Sequence, residues 1–418
     1  MNLPPSEPMK RRGSRDERVM LFPSLAYYDV RRSAWCALIQ GRVYDVNHIP
    51  LATRFLLKGL KRALKASEDE LASTIFRERI QGFTAMPVRG RRIRVELAGQ
   101  QFTLRRKSKR NGAFFSIVKL PEALLPPAVC SDQSLSIRVQ VAPQGLGSHD
   151  AGSHDAGDAL EFDSDQVTAE ETVAEESEWE EVTSEEAIWR ESDWSDVRAS
   201  GGEGNAAAAV AQGTIHLIAR RGVSIVSDID DTIKATDVTS RHSMLANTFL
   251  RPFAAVDGMA QLYRRWHDAG AAFHYVSSSP WQLFQPLAEL CQLSRFPAGS
   301  MHLRYFRVRD EMFKRWRPSH RKGKAAIIAG LMKKMPQRQF VLVGDSGERD
   351  PEIYRFLARR FPQQVCAILI RQLDAKPLKT RRIEKLESLR GAIPVRLFRD
   401  ANDLQDLDGL LQQWLEPK

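Results

Sequence analysis

The C-terminal half of the chain alternates short apolar runs with amphipathic stretches. Four apolar runs have the length and composition of buried strands: 223–227, 273–276, 340–343 and 365–369. Apolar residues recur at helical spacing between them: 260–268, 281–293, 324–335 and 352–361. This alternation is typical of a parallel sheet with helices on both faces. It predicts an α/β domain over residues 212–418.

The first part of the chain has a strand-like pattern instead. Short alternating or β-branched runs indicate strands at five places: 37–44, 93–97, 101–104, 114–118 and 135–141. Apolar residues at helical spacing interrupt them over residues 54–76. The pattern predicts a small β-sandwich-like domain with an inserted helix over residues 19–143.

Two segments have no such periodicity. Residues 1–18 are rich in Pro, Lys and Arg and are predicted to form a disordered tail. Residues 144–211 contain the repeat Gly-Ser-His-Asp-Ala at 147–151 and 152–156, followed by a long acidic run. Low-complexity sequence of this kind predicts an acidic disordered linker.

Charge is distributed very unevenly along the chain. The net charge is +10, but residues 150–197 hold 18 acidic residues and a single base, Arg190, so that the remainder carries +27. Such an excess favours an anionic partner, whether nucleic acid, anionic lipid or a phosphorylated substrate. A charged surface that only keeps the protein soluble has the same composition.

Composition narrows the class of protein further. The 418 residues indicate two or three domains, and no apolar stretch approaches the length of a membrane-spanning helix. The four cysteines are scattered and form no C-x-x-C pair, which argues against a zinc site and a disulfide framework. The N-terminus lacks an apolar signal segment, so a reduced, cytoplasmic location is expected, with peripheral membrane contact left open.

The first predicted strand of the α/β domain runs into the carboxylates Asp228 and Asp230. Active sites in parallel sheets lie at the carboxyl ends of the strands. Two carboxylates one residue apart can face one cleft there, one as nucleophile and the other as general acid and base. A solvated acidic turn has the same pattern.

The second predicted strand ends in three serines, Ser277 to Ser279, followed by Pro280. Ser279 is a suitable N-cap, Pro280 suits the first helical position, and Gln282 completes a capping box. A capped helix start beside free hydroxyls is also a site where phosphate binds well. A helix that is merely well capped remains the alternative.

The third predicted strand leads to Asp345 and Asp350. Carboxylates gathered at one sheet edge repel one another unless a cation lies among them, and oxygen ligands without His or Cys indicate Mg²⁺. Lys324, at the start of the preceding helix, can neutralise phosphate charge there, and Lys322 is a near alternative. A solvated acidic loop and surface lysines fit the same residues.

Together and in this order, the three clusters and the lysine resemble the four motifs of haloacid dehalogenase superfamily phosphatases. The amino-acid sequence at 227–234, 275–281 and 344–354 is similar to the catalytic domain of the actin-patch family of phosphatidate phosphatases. The resemblance covers roughly residues 214–398. It implies a haloacid-dehalogenase-like Rossmannoid parallel sheet with a minimal cap.

The resemblance also implies roles for the catalytic residues. Asp228 would attack phosphorus and form an aspartyl-phosphate, and Asp230 would protonate the leaving alkoxide and then activate water. Ser277 would bind the phosphoryl group and Lys324 would hold it. These roles form one coherent mechanism, because phosphoryl transfer needs positioning and charge neutralisation above all.

The resemblance further implies ligands for Mg²⁺ and contacts to the substrate. Its metal residues are the Asp228 carboxylate, the Asp230 backbone carbonyl and Asp345, with Asp350 in support. Other substrate contacts are expected from three residues: Thr232, Ser278 and Lys322. Asp231 and Thr232 are also expected to help shape the turn after Asp230.

The implied activity is Mg²⁺-dependent hydrolysis of phosphatidate to diacylglycerol and phosphate. The insert at 235–256 is short, apolar and basic, as suits a head group presented at a membrane surface, although a packed helical flap has the same composition. One alternative is a phosphatase of a soluble phosphomonoester. Another is a basic lipid- or nucleic-acid-binding protein without catalysis, supported by the basic run at 105–110, with nucleic acid the less favoured partner.

Overall fold

The structure is a computed structural model that describes most of the two predicted domains. The described residues are 16–46, 51–126, 129, 133–142, 194–195, 209–236, 241–304, 319–389 and 393–415, with the backbone alone at 51–56, 124, 194–195, 241, 319–322, 410 and 414–415. The predicted disordered tail and acidic linker lie almost entirely outside these residues. Within those two segments, residues 17–18, 194–195 and 210–211 lie in strands.

Ten strands of the first part of the chain form one mixed sheet. They are β1 (Glu17–Leu21), β2 (Ser24–Asp29), β3 (Ala34–Asp45), β4 (Met86–Pro87), β5 (Ile93–Leu97), β6 (Gln100–Thr103), β7 (Ala113–Lys119), β8 (Ser134–Val141), β9 (Trp194–Ser195) and β10 (Val210–Leu217). Their order is β6-β5-β8-β10-β2-β3-β7-β9, and β1 and β4 also pair with β3. The predicted strands are present, but they join one hydrogen-bonded sheet. The two sheets of the predicted β-sandwich are not seen in the described residues.

Strand β10 belongs to this first sheet although it follows the acidic segment. It pairs antiparallel with β8 and parallel with β2. Ile215 and Leu217 are accordingly buried in the core of the first sheet. The predicted domain boundary at residue 212 therefore falls inside a strand of the first sheet.

Three helices interrupt the first sheet, where a single helical stretch over 54–76 was predicted. They are α1 (Leu51–Leu64), α2 (Glu68–Ala72) and α3 (Thr74–Thr84). The chain breaks between them because Ser67 and Glu70 form a reciprocal capping box, and Ser73 caps α3 by accepting from the Phe76 N–H.

Six parallel strands form the sheet of the second part, as the alternating pattern predicted. They are β11 (Gly222–Ser227), β14 (Ala272–Pro280), β15 (Ser300–Arg304), β16 (Arg338–Asp345), β17 (Val365–Arg371) and β18 (Val395–Phe398). Their order is β15-β14-β11-β16-β17-β18, which places β11 near the centre. The four predicted strands are β11, β14, β16 and β17. The edge strands β15 and β18 were not predicted.

Helices connect these strands and cover the sheet. They are α4 (Arg241–Phe249), α5 (Met259–Asp268), α6 (Phe284–Leu293), α7 (Ser319–Lys334), α8 (Asp350–Arg360), α9 (Thr380–Glu387) and α10 (Leu407–Leu415). Four of them, α5 to α8, match the predicted helices. In the part of the chain that the structure describes, no helix is long and apolar enough to cross a membrane.

The insert between β11 and β14 is short. It consists of α4 and of β12 (Lys234–Ala235) paired with β13 (Ala254–Ala255). The helices of the first part pack on it: the His242 ring nitrogen lies 2.7 Å from the Leu64 carbonyl oxygen, and the Arg79 guanidinium donates to the Asn247 and Thr248 carbonyls.

One hydrophobic cluster contains residues of both sheets. Leu25, Tyr27 and Leu38 of the first sheet pack in one cluster with buried residues of α7, β16 and β17. The Met301 amide donates to the Pro23 carbonyl oxygen at 2.9 Å, which ties β15 to the first sheet. The first sheet is thus a structural support of the second.

Candidate active site

The predicted motif residues meet at the carboxyl end of the six-stranded sheet. Asp228 follows β11 directly, Ser277 lies in β14 and Asp345 ends β16. Lys324 reaches them from the second turn of α7. Since neighbouring parallel strands end side by side, residues far apart in sequence lie around one cleft, as predicted.

Asp228 occupies the centre of this cleft and is almost completely buried, at 1% exposure. Its backbone N–H donates to the Val343 carbonyl, and one carboxylate oxygen lies 2.8 Å from the Lys324 Nζ. Neither carboxylate oxygen has a hydrogen bond of good geometry from the described residues. Burial raises the pKa of Asp228, and the Lys324 ammonium opposes that shift. An ionised Asp228 is therefore a poorly solvated nucleophile.

Lys324 lies between two buried carboxylates. Its ammonium forms ion pairs with Asp228 and with Asp350. Burial disfavours the ammonium form, but the two carboxylates outweigh it and raise the pKa of Lys324 well above its usual range. Lys324 is thus the lysine brought into the site, while the side chain of Lys322 lies outside the described residues.

Asp350 supports this arrangement from the start of α8. Besides pairing with Lys324, it accepts a hydrogen bond from the Asp345 N–H at 3.3 Å. Gly344 allows the close approach, because a Cβ at that position would lie 2.1 Å from an Asp350 carboxylate oxygen. Lys324 and the backbone N–H of Asp345 therefore hold Asp350, the carboxylate that was predicted to support the metal site.

Asp230 faces the other side of the cleft and is held by four side chains, one of which is Thr236, whose hydroxyl donates to the carboxylate at 3.4 Å. Lys234 Nζ lies 2.5 Å from one carboxylate oxygen, and the Ser277 and Ser279 hydroxyls donate to the other at 3.1 and 2.5 Å. Burial alone would raise the pKa of Asp230. The Lys234 ammonium and the serine hydroxyls overcome this effect and lower the pKa.

Lys234 and Ser279 were not predicted as site residues. Lys234 belongs to the motif that was recognised, four residues after Asp230, and that spacing was its only signal in the sequence. Ser279 was interpreted as an N-cap, which is wrong. It lies in β14 and contacts Asp230, and the 3₁₀ turn at Trp281–Leu283 has no side-chain cap.

The turn after Asp230 is shaped by its own side chains. Asp231 has a left-handed φ of +53° and accepts from the Thr236 N–H at 2.9 Å. Thr232 is fully buried, and its hydroxyl has no partner among the described residues. Ser278, also predicted to contact substrate, is half-buried. Both remain candidates for substrate contacts.

Asp228 and two further carboxylates form an acidic group. Side-chain oxygens of Asp228, Asp345 and Glu348 lie within 4.8 Å of one another. Burial, followed by repulsion from neighbouring carboxylates, raises the pKa of Asp345 to about 8, and burial raises that of Glu348 to about 8. Glu348 was not predicted, since it follows the strand end by three residues in an irregular turn.

This group has the chemistry of a magnesium site. Asp345 accepts from the Gly347 and Glu348 N–H groups through one oxygen, while its other oxygen is buried without a hydrogen-bond partner in the described chain. Buried carboxylate oxygens that lack donors and face each other are the ligands a small hard cation requires. Of the predicted metal residues, Asp228 and Asp345 belong to this group. Glu348 is the third member, and the Asp350 carboxylate pairs with Lys324 instead. The predicted ligand from Asp230 is its backbone carbonyl, and this remains a prediction.

Comparison with known proteins finds a family that matches the part of the chain containing this site. Residues 223–372, which contain all the motif residues above, match the sequence model of a family described as phosphatidate phosphatase APP1, catalytic domain. The match covers the second part of the chain and confirms the resemblance predicted from the motifs.

Individual relatives match the same part of the chain. Phosphatidate phosphatase APP1 of Saccharomyces cerevisiae is 41% identical over 155 residues, which are 36% of this chain and 26% of that protein. An uncharacterised protein of Schizosaccharomyces pombe is 31% identical over 164 residues, 38% of this chain and 26% of its own length. The chain thus spans about a quarter of the length of these relatives.

A solved structure from Mesorhizobium loti, described as a HAD-like phosphatase, aligns with 47% of this chain and 90% of its own. Its sequence identity is 12% and its TM-score is 0.33. A TM-score of this size is too low to establish a common fold.

Proposed function

We propose that the chain is a Mg²⁺-dependent phosphatase that hydrolyses phosphatidate to diacylglycerol and phosphate through an aspartyl-phosphate. The observation that carries the proposal is the setting of Asp228. It is a buried carboxylate at the end of a central strand, paired with Lys324 and next to two further carboxylates. Nucleophile, charge neutralisation and a candidate cation site thus coincide at one point.

In the first step, an oxygen of the ionised Asp228 forms a bond to phosphorus while the bond from phosphorus to the leaving oxygen breaks. Asp230 gives its proton to that leaving alkoxide. Lys234 favours the ionised form of free Asp230, but an arriving phosphate dianion adds negative charge beside Asp230 and so favours its protonation. Lys324 neutralises charge on the phosphoryl oxygens, and Ser277 positions the group.

In the second step, water attacks the phosphorus of the aspartyl-phosphate. Asp230, now ionised, takes the proton of that water, and the bond between phosphorus and Asp228 breaks to release phosphate. Asp230 thus acts first as acid and then as base. Ser279 and Lys234 keep its carboxylate aimed into the cleft in both steps.

Asp228, Asp345 and Glu348 would hold the cation. A bound Mg²⁺ supplies additional neutralisation of the phosphoryl charge and of these carboxylates. Without a cation, burial and repulsion from Asp350 and Glu348 disfavour the ionised Asp228 that the first step needs.

The lipid substrate is supported by the relative named phosphatidate phosphatase and by the short insert over the cleft. No large cap domain encloses a small soluble substrate in the described residues between β11 and β14. An open cleft suits a phosphate that is presented by a membrane surface.

Phosphate release from phosphatidate in mixed micelles tests the proposal, with Mg²⁺ or with a chelator and beside a soluble phosphomonoester. We expect Mg²⁺-dependent release that is selective for the micellar lipid. Phosphate release from the soluble ester alone would support the proposed catalytic residues and contradict phosphatidate as the substrate. Salt-sensitive binding of anionic micelles without any release would discard catalysis.

A further inference from the structure

A cavity of about 540 Å³ lies between the two parts of the chain, and no step of the mechanism uses it. Its walls come from β1 and β3 of the first sheet, from α3, and from α6 with the turn before it. The volume is in the range of pockets that hold small-molecule ligands.

The inner end of this cavity adjoins Asp230. Phe253 lines the cavity, and its ring lies 4.5 Å from the Lys234 Nζ that pairs with Asp230. Trp281, another lining residue, follows Ser279 by two positions, and Ser279 donates to Asp230. The contacts from Phe253 to Lys234 and from Lys234 to Asp230 thus connect the cavity wall with the carboxylate that protonates the leaving oxygen.

This side of the cleft is where a leaving group must lie. The nucleophile and the leaving oxygen are roughly in line on opposite sides of phosphorus. Asp228, Lys324 and the acidic group hold the phosphoryl side, whereas Asp230 serves the leaving oxygen. The remainder of the substrate extends past Asp230, towards the cavity.

The lining is largely apolar inside and polar at the rim. Most side chains that are buried or half-buried in the wall are apolar, with Tyr44, Arg79 and Gln282 as the polar exceptions. The apolar ones include Met20, Val46, Ile75, Phe253, Trp281 and Leu290. The exposed lining residues include five polar ones: Arg18, Glu78, Gln81, Gln285 and Glu289. Leu293, at the outer end, is 76% exposed, the highest value among large apolar side chains in the described residues. An apolar floor that ends in an exposed leucine fits a hydrocarbon chain entering from a lipid surface.

We propose that this cavity is the subsite for an acyl chain of the lipid phosphomonoester. The inference rests on the proposed function and adds that the first sheet and α3 contribute to substrate selection. Arg79 keeps the wall together by bonding the carbonyls at the end of α4 while stacking 3.9 Å from the centroid of the Phe253 ring.

Ile75→Gln and Leu293→Gln, singly and combined, test the subsite by activity. Ile75 is in the first turn of α3 and Leu293 is the last residue of α6, so we expect the fold to tolerate both changes. Val30→Gln, at an apolar residue 48% exposed outside the cavity, is the matched control. We expect the combined variant to lose about tenfold or more in kcat/KM for dioctanoyl phosphatidate, with glycerol 3-phosphate turnover unchanged.

Equal losses on both substrates, or no loss on either, would overturn the subsite. If the chain had no phosphatase activity, the activity test could neither support nor contradict the subsite, so binding of the lipid is measured in parallel. Full-length Asp228→Asn protein is photolabelled with phosphatidate that carries a diazirine at the end of one acyl chain, in mixed micelles.

We expect label on residues 75–82 and 285–293, reduced in the combined variant and unchanged with Val30→Gln. Label confined to other segments would overturn the subsite even if lipid hydrolysis is observed. Label at the cavity without hydrolysis by the wild-type chain would retain the subsite and reject the proposed function.

Discussion

Lys324 has almost no contact with water, and neither do its two partners. The side chains of Lys324, Asp228 and Asp350 are 4%, 1% and 0% exposed. Removing the ammonium leaves two buried carboxylates facing each other. We expect Lys324→Met to destabilise the fold by roughly 3–5 kcal/mol in urea unfolding at neutral pH, and to abolish turnover.

Lys379→Met, at an exposed lysine before α9, is the control and is expected to change stability very little. Asp350→Asn combined with Lys324→Met should recover part of the loss, because it removes one of the two unpaired charges. A Lys324→Met protein as stable as the wild type would show that the buried ion pairs do not hold the site together.

The acidic group makes a separate prediction about pH. Asp345 and Glu348 have pKa values of about 8 in the folded chain, above the usual values near 4 of an unfolded one. Between these values the folded state binds more protons, so stability falls as pH rises towards 8. We expect the melting temperature in chelator to fall from pH 5 to pH 8, and the increase on adding Mg²⁺ to grow over the same interval. If the increase in melting temperature on adding Mg²⁺ were independent of pH, Asp345 and Glu348 would not be ligands of the cation.

Some site residues could be predicted at this scale and others could not. Asp228 and Asp345 follow apolar runs directly, so their place at the sheet edge is visible in the sequence. Glu348 reaches the site because of the path of the turn after β16, and Ser279 reaches it because β14 extends to Pro280. Apolar periodicity determines neither feature. Lys234 contacts Asp230 because the chain turns back within four residues.

Among the elements, α3 has a role beyond its own packing. Arg79 donates to the Asn247 and Thr248 carbonyls, which belong to the last turn of α4 and have no partner within that helix. We expect Arg79→Met to cost about 1–3 kcal/mol in urea unfolding and to speed amide exchange in α4. Arg77→Met, exposed on the same helix, is the control. Unchanged exchange in α4 would show that α3 does not support the insert.

The sequence also shows why some elements differ from prediction. The stretch 54–76 has continuous helical spacing, yet Ser67 and Ser73 interrupt it because their side chains cap new helices. The edge strands β15 and β18 are short and contain no continuous apolar run, so the sequence pattern did not predict them. The central strands were predictable because both of their faces are buried.

At the scale of the whole molecule, the two sheets are expected to unfold together. Tyr27 and Leu38 of the first sheet pack in the same cluster as Leu342 and Ile368 of the second. We expect a single thermal transition for the full chain, and a much lower melting temperature or aggregation for a fragment of residues 218–418. A fragment with the melting temperature of the full chain would show that the shared cluster contributes little.

The domain boundary was not predictable for a related reason. Strand β10 joins β8 and β2, whose residues precede the acidic segment, and pairing between distant strands leaves no periodic signal in the sequence. Residues 144–211 differ from the rest of the chain only in composition. The end of this segment lies close to the start of β10 but does not coincide with it. The parallel sheet, in contrast, could be predicted because its pattern repeats.

The central claim is that Asp228 forms a covalent bond to the phosphoryl group of phosphatidate. Asp230 is kept in this test because the first step needs it as the acid, so the full chain is quenched during its first turnovers, when part of it should be present as the aspartyl-phosphate. After acid quench, mass spectrometry should find one phosphoryl group on Asp228, and none when Asp228→Asn is added. Phosphate release from phosphatidate without a modified Asp228, or modification at another residue, would contradict the account.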